Sequence, residues 1–179
     1  MDPNQVQENN PGSSPQGQTP KYLIKLKVEG LGGWLVLVQI SMYFSLITIT
    51  YLLFNHIFPV FEPEIWSMIT DKGSAAYNQS LVQLILFETV VNVLFIIALV
   101  FALFLLYRKK KAFPKLMIGY ILFSLLTSIV DYVAVSQIEI LAQGNDGTFM
   151  REVTRSILYA CIWIPYFIRS KRVRNTFVN

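Results

Sequence analysis

Five ionisable residues sit inside or at the rim of otherwise apolar stretches of this 179-residue chain: Glu88, Asp131, Arg151, Glu152 and Arg155. They are the groups best placed to do chemistry. A charge at the centre of a bilayer costs roughly a few kcal/mol on insertion scales, so such residues are expected to face one another and to pair. Arg155 bridging Glu88 and Asp131 is the arrangement this reading favours. Asn92 lies four positions after Glu88 and shares its helical face, and Ser124, Thr127 and Ser128 precede Asp131 at helical spacings. Three carboxylates against two guanidinium groups leave one carboxyl to be protonated, solvated, or paired with something outside the chain.

Such a layer has three readings. The first is structural glue, a polar network that fixes which helices touch. A second is a site in an outward-facing cavity for a proton, an ion or a small polar solute, the usual functional meaning of intramembrane ionisable groups. The third is snorkelling of long side chains to the outer headgroups. Hydrolytic chemistry is harder to build. His56 is the only histidine, and neither a Gly-x-Ser-x-Gly nor a His-Glu-x-x-His pattern supplies a nucleophile or a metal pair. A lone His beside Asn55 at the end of an apolar run reads as a headgroup contact. No catalytic residue, metal or cofactor is expected, and the single Cys161 allows no disulfide within one chain.

The elements that must position these groups read as membrane spans. Hydrophobic residues make up 54% of the chain and charged residues 15%, more apolar side chain than a soluble domain of this length can bury. An all-α, integral membrane four-helix bundle is expected, with spans over about 31–58, 81–107, 113–135 and 149–168. Residues 1–20 are built from Asn, Gln, Pro, Gly and Ser and read as a disordered tail without a secretory signal pattern; 21–179 form the membrane domain. In the connection after the first span, Pro63 opens a short amphipathic segment. Phe61, Ile65, Trp66 and Ile69 share one side of it, which suits an interfacial helix on the outer surface. The connection at 136–148 holds Gly144, Asn145, Asp146 and Gly147, which is turn chemistry.

Charge placement gives the orientation. Twelve of the fifteen Lys and Arg residues flank one side of the four segments: Lys21, Lys25, Lys27, Arg108, Lys109, Lys110, Lys111, Lys115, Arg169, Lys171, Arg172 and Arg174. The positive-inside bias then puts both termini in the cytoplasm. A net charge of +4 would also suit nucleic acid, but these residues lie at span ends, so anionic headgroups at the cytoplasmic face are the expected counter-charge.

Two strings mark the ends of the membrane domain. Gly30-Leu31-Gly32-Gly33-Trp34-Leu35 opens the first span, where the glycines permit close backbone approach or a break and Trp34 suits an interface. Trp163-Ile164-Pro165-Tyr166 closes the fourth, where Pro165 should kink the helix. The string Ser170-Lys171-Arg172-Val173-Arg174-Asn175-Thr176-Phe177 follows, which reads first as a helix end with a basic topology anchor and otherwise, through its basic residues with Val173 and Phe177, as a segment suited to lying on anionic lipid. With these strings and four spans, the chain from about 27 to 178 resembles the bacterial membrane proteins grouped as domain of unknown function 2569. The resemblance implies a four-helix protein of the bacterial inner membrane and supplies no reaction. The role expected is a non-enzymatic accessory or scaffold that binds lipid, other membrane proteins or itself. The alternative is a small oligomeric carrier or channel using Glu88 or Asp131 as its protonatable group.

Overall fold

The computed structural model describes residues 29–138 and 147–178, which are helical almost throughout. The expected disordered tail, Lys21, Lys25 and Lys27, and the turn residues Gly144, Asn145 and Asp146 lie outside the described residues.

Helix α1 spans Trp34–Leu52, then widens into a π-helical turn over Leu53–Ile57 and tightens into a 3-10 turn over Phe58–Phe61. No charged side chain interrupts that run. Helix α2, Pro63–Thr70, begins where expected, because Pro63 at its first position gives up an N–H that would have no partner in the helix. Phe61 stacks on Trp66 with centroids 5.0 Å apart and fixes how the chain enters α2.

Helix α3, Gln79–Tyr107, starts at Asn78, whose side-chain oxygen accepts the Leu81 N–H at 3.0 Å. It stops in a Schellman arrangement. The Lys110 N–H reaches the Leu105 carbonyl and the Lys109 N–H reaches the Leu106 carbonyl, each at 3.0 Å, with Lys109 in the left-handed region at φ 50°. Helix α4, Ala112–Gln137, follows at once, so α3 and α4 are joined too tightly to do anything but pack side by side. Helix α5 covers Thr148–Arg169 and runs on through Pro165. Helix α6, Lys171–Thr176, is capped by the Ser170 hydroxyl, which accepts the Val173 N–H at 3.3 Å.

Three of these segments are long and apolar enough to cross a membrane: Trp34–Phe61, Gln79–Tyr107 and Ala112–Gln137. The fourth long helix, α5, has 22 residues, about 33 Å at the usual rise, but its first turns carry Arg151, Glu152 and Arg155. Length alone would let it cross; its charge sets it apart from the other three.

The core is concentrated at one end. Leu35, Val38 and Met42 of α1 meet Leu99, Ala102 and Leu106 of α3, Phe113, Met117 and Ile121 of α4, and Trp163 and Phe167 of α5. A much smaller cluster, Leu84, Val135 and Ile138, closes the other end. Helix α4 packs most extensively on α5, while α3 touches both α1 and α4. The outward faces of α1 and α3 expose Ile40, Ile47, Val90 and Ile97, as expected for helices solvated by lipid.

Candidate functional site

Between the two apolar clusters, α1, α4 and α5 diverge and leave a groove. Its larger part encloses about 480 Å³. Helix α1 contributes Ser41, Phe44, Ser45, Thr48 and Ile49 to its wall, α4 contributes Tyr120, Ile121 and Ser124, and α5 contributes Glu152, Arg155, Ser156 and Tyr159. A smaller, more polar pocket of about 230 Å³ shares Ser124, Glu152, Arg155 and Ser156 with it and adds Thr127, Ser128 and Asp131. The two form one amphipathic cleft, hydroxyl-lined and partly apolar in its middle and charged at one end.

The hydrogen bonds decide what the cleft offers a ligand. Thr127 donates its hydroxyl proton to the Ser124 carbonyl at 3.0 Å, and Ser128 donates to the Leu125 carbonyl at 2.9 Å. Ser41 donates to the Val38 carbonyl at 2.8 Å, so the 3.3 Å contact between Ser41 and the Tyr159 hydroxyl must have Tyr159 as donor. These hydroxyls spend their protons on the protein and keep lone pairs free. Asp131 is half-buried, and its Oδ1 is fully buried without a hydrogen-bond partner. Such an oxygen is costly unless a donor reaches it.

The expected polar layer is only partly assembled. Asp131, Glu152 and Arg155 line one pocket. Glu88 is half-buried on α3, within electrostatic reach of Asp131 and Glu152, yet it does not line that pocket. Asn92 turns back on its own helix, donating to the Glu88 carbonyl at 2.8 Å. Arg151 is exposed and donates to the Thr148 hydroxyl at 3.3 Å. The bridge from Arg155 to Glu88 and Asp131 is not formed: among the described residues Arg155 has no ion pair within 4.0 Å, and Asp131 Oδ1 stays unpartnered. Geometry explains this, since Arg155 is exposed at the cleft mouth while Glu88 sits on α3, across α4.

The end motifs come together at the opposite end of the molecule. The Gly30 N–H donates to Thr176 Oγ1 at 2.8 Å, and Thr176 Oγ1 donates back to the Gly30 carbonyl at 3.2 Å. Arg172 lies over Gly32 and Gly33, close enough that a Cβ on Gly32 would stand 3.0 Å from its guanidinium. Trp34 meets Trp163 edge-on at 6.1 Å and Tyr166 at 6.5 Å. Phe177 stacks on Phe113 at 4.6 Å. The tail therefore does not lay Val173 and Phe177 on lipid, the second of its two readings. Val173, Thr176 and Phe177 are buried in the helix ends, and within α6 only Lys171 and Arg174 are exposed. Nothing in the short tail sequence distinguishes a protein surface from a lipid surface as the partner of Val173 and Phe177.

His56 is exposed in the π-helical turn, with its ring edge-on to Tyr51 at 6.0 Å. Cys161 is exposed on α5. Among the described residues no group of three His, Cys, Asp or Glu side chains is placed to share a metal ion.

Three apolar helices of spanning length, a fourth bearing charge, and a polar cleft between them define a helical membrane protein. Residues 28–178 match the family model described as protein of unknown function (DUF2569), and the chain belongs to that family. No curated protein and no solved structure matches it.

Proposed function

We propose that this chain is a non-enzymatic accessory or scaffold component of the bacterial inner membrane, with all four long helices crossing the bilayer and both termini in the cytoplasm. The observation that carries this reading is the closure of one end of the molecule. The Gly30–Thr176 hydrogen bonds and the Phe113–Phe177 stack bring the chain's first described residues, the Arg108–Lys111 turn and the basic α6 to that same end. Gathering these basic residues supports their placement on the cytoplasmic face. The charged end of the cleft then lies in the outer half of the membrane, and the cleft is a binding surface for lipid, another membrane protein or a second copy.

Isolation of the tagged protein from its native membrane in mild detergent, with mass spectrometry of what travels with it, tests the accessory role. A stoichiometric protein partner is the expected result. Recovery as a defined homo-oligomer without partners would favour a small oligomeric carrier for a proton, ion or polar solute. One observation favours that second reading, the buried unpartnered Asp131 Oδ1. For a carrier, Asp131→Asn in liposomes would fold normally and lose flux.

A further inference from the structure

The cleft has an unusual balance of donors and acceptors. Thr127 and Ser128 have given their protons to carbonyls of their own helix, and Asp131 and Glu152 are carboxylates. All four therefore present lone pairs. Among the described residues Arg155 is the one cation lining this pocket, and it makes no hydrogen bond or ion pair with them. A ligand that satisfies this set must carry several N–H donors on a positive group for the acceptors and an anionic group beside it for the guanidinium. Adjoining the charged end is a wall that includes Phe44, Ile49 and Ile121, which is wasted on a small hydrophilic solute and suits a hydrocarbon chain.

We propose that the cleft binds a zwitterionic phospholipid bearing a primary ammonium headgroup. The ammonium donates to the Asp131 and Glu152 carboxylates, the phosphate takes Arg155, and an acyl chain runs along Phe44, Ile49 and Ile121. This rests on the reading of the chain as a membrane component, and it holds for an accessory or a carrier alike. Charge complementarity selects the occupant: an anionic lipid would bring its phosphate to Arg155 but leave Asp131 facing hydroxyls. A choline headgroup has the right charges and no N–H to give. The proposal thus predicts discrimination between two lipids of equal charge, which surface adhesion would not produce.

The test is native mass spectrometry of the full chain, delipidated in mild detergent and titrated with phosphatidylethanolamine, phosphatidylcholine or phosphatidylglycerol of matched acyl chains. The ethanolamine lipid is expected to bind about tenfold more tightly than the choline lipid, the effect of one charge-assisted hydrogen bond. Asp131→Asn should collapse that ratio towards one. Arg155→Gln should weaken both zwitterionic lipids and leave the ratio standing. Equal binding of the three lipids, a preference for phosphatidylglycerol, or an undiminished ratio in Asp131→Asn would overturn the proposal. So would full competition by soluble phosphoethanolamine, which would make the ligand a solute and not a lipid. If Asp131→Asn does not fold, the wild-type ranking of the three lipids decides alone. Thiol labelling reads membrane orientation separately, so the topology and the lipid site fail independently.

Discussion

Gly33 caps α1 at φ 62° and ψ −136°, a region where a side chain is strained whatever space surrounds it. Gly32 differs, because a Cβ there would meet only the flexible end of Arg172. Gly33→Ala should therefore cost about 1–3 kcal/mol and Gly32→Ala distinctly less, read as a difference in thermal unfolding midpoints in detergent. Lys109 presents the reverse case, a residue with a Cβ at φ 50° in a position usually given to glycine. Lys109→Gly should raise stability by about 1 kcal/mol in the same assay, by relieving left-handed strain. Thr176→Val removes a hydroxyl that both accepts from and donates to Gly30, and should lower stability by about 1–3 kcal/mol. The glycines are legible in the sequence as points of close approach. Their partner is not, because Arg172 and Thr176 lie at the other end of the chain and no local pattern connects them.

Among elements, α3, α4 and α5 begin and end within two residues of their apolar runs, whereas the first run, about 31–58, starts before α1 and outlasts it. Apolar runs end where charge begins, and Asn78 and Pro63 announce the helices that follow them. The π-helical and 3-10 turns between Leu53 and Phe61 are not legible, since the apolar run continues unbroken through a change of backbone winding. The candidate site divides in the same way. Asp131, Glu152 and Arg155 stand out because charge beside apolar sequence is conspicuous, but whether they touch depends on the rotation of α4 against α5. Helix moments say little about that rotation where almost every side chain is apolar. The docking of α6 also escapes sequence reading, and its weight can be measured. Phe113 is fully buried between Phe167 and Phe177, so Phe113→Ala should cost about 3 kcal/mol and loosen α6. Faster amide exchange across Lys171–Thr176 would report the loosening.

For the molecule as a whole, polarity is the governing property: a large apolar core at the basic end, a hydroxyl-rich cleft in the middle and a small cluster at the far end. With Cys161 replaced by Ser, Ser74→Cys should react with a membrane-impermeant maleimide in spheroplasts, whereas Lys110→Cys should react only after lysis. The opposite pattern would invert the orientation. The latch between Gly30 and Thr176 also sets an order of assembly. The two residues are 146 positions apart, so the latch on α1 can close only once α6 has been made. Until then Gly33 and the start of α1 lack Arg172 and Thr176 as neighbours, although Trp34 already has Trp163 and Tyr166 of α5. A chain broken off before residue 170 would therefore hold all four long helices and still lack the latch on its first, so the stretch 170–177 acts as a clasp on a helix made long before it.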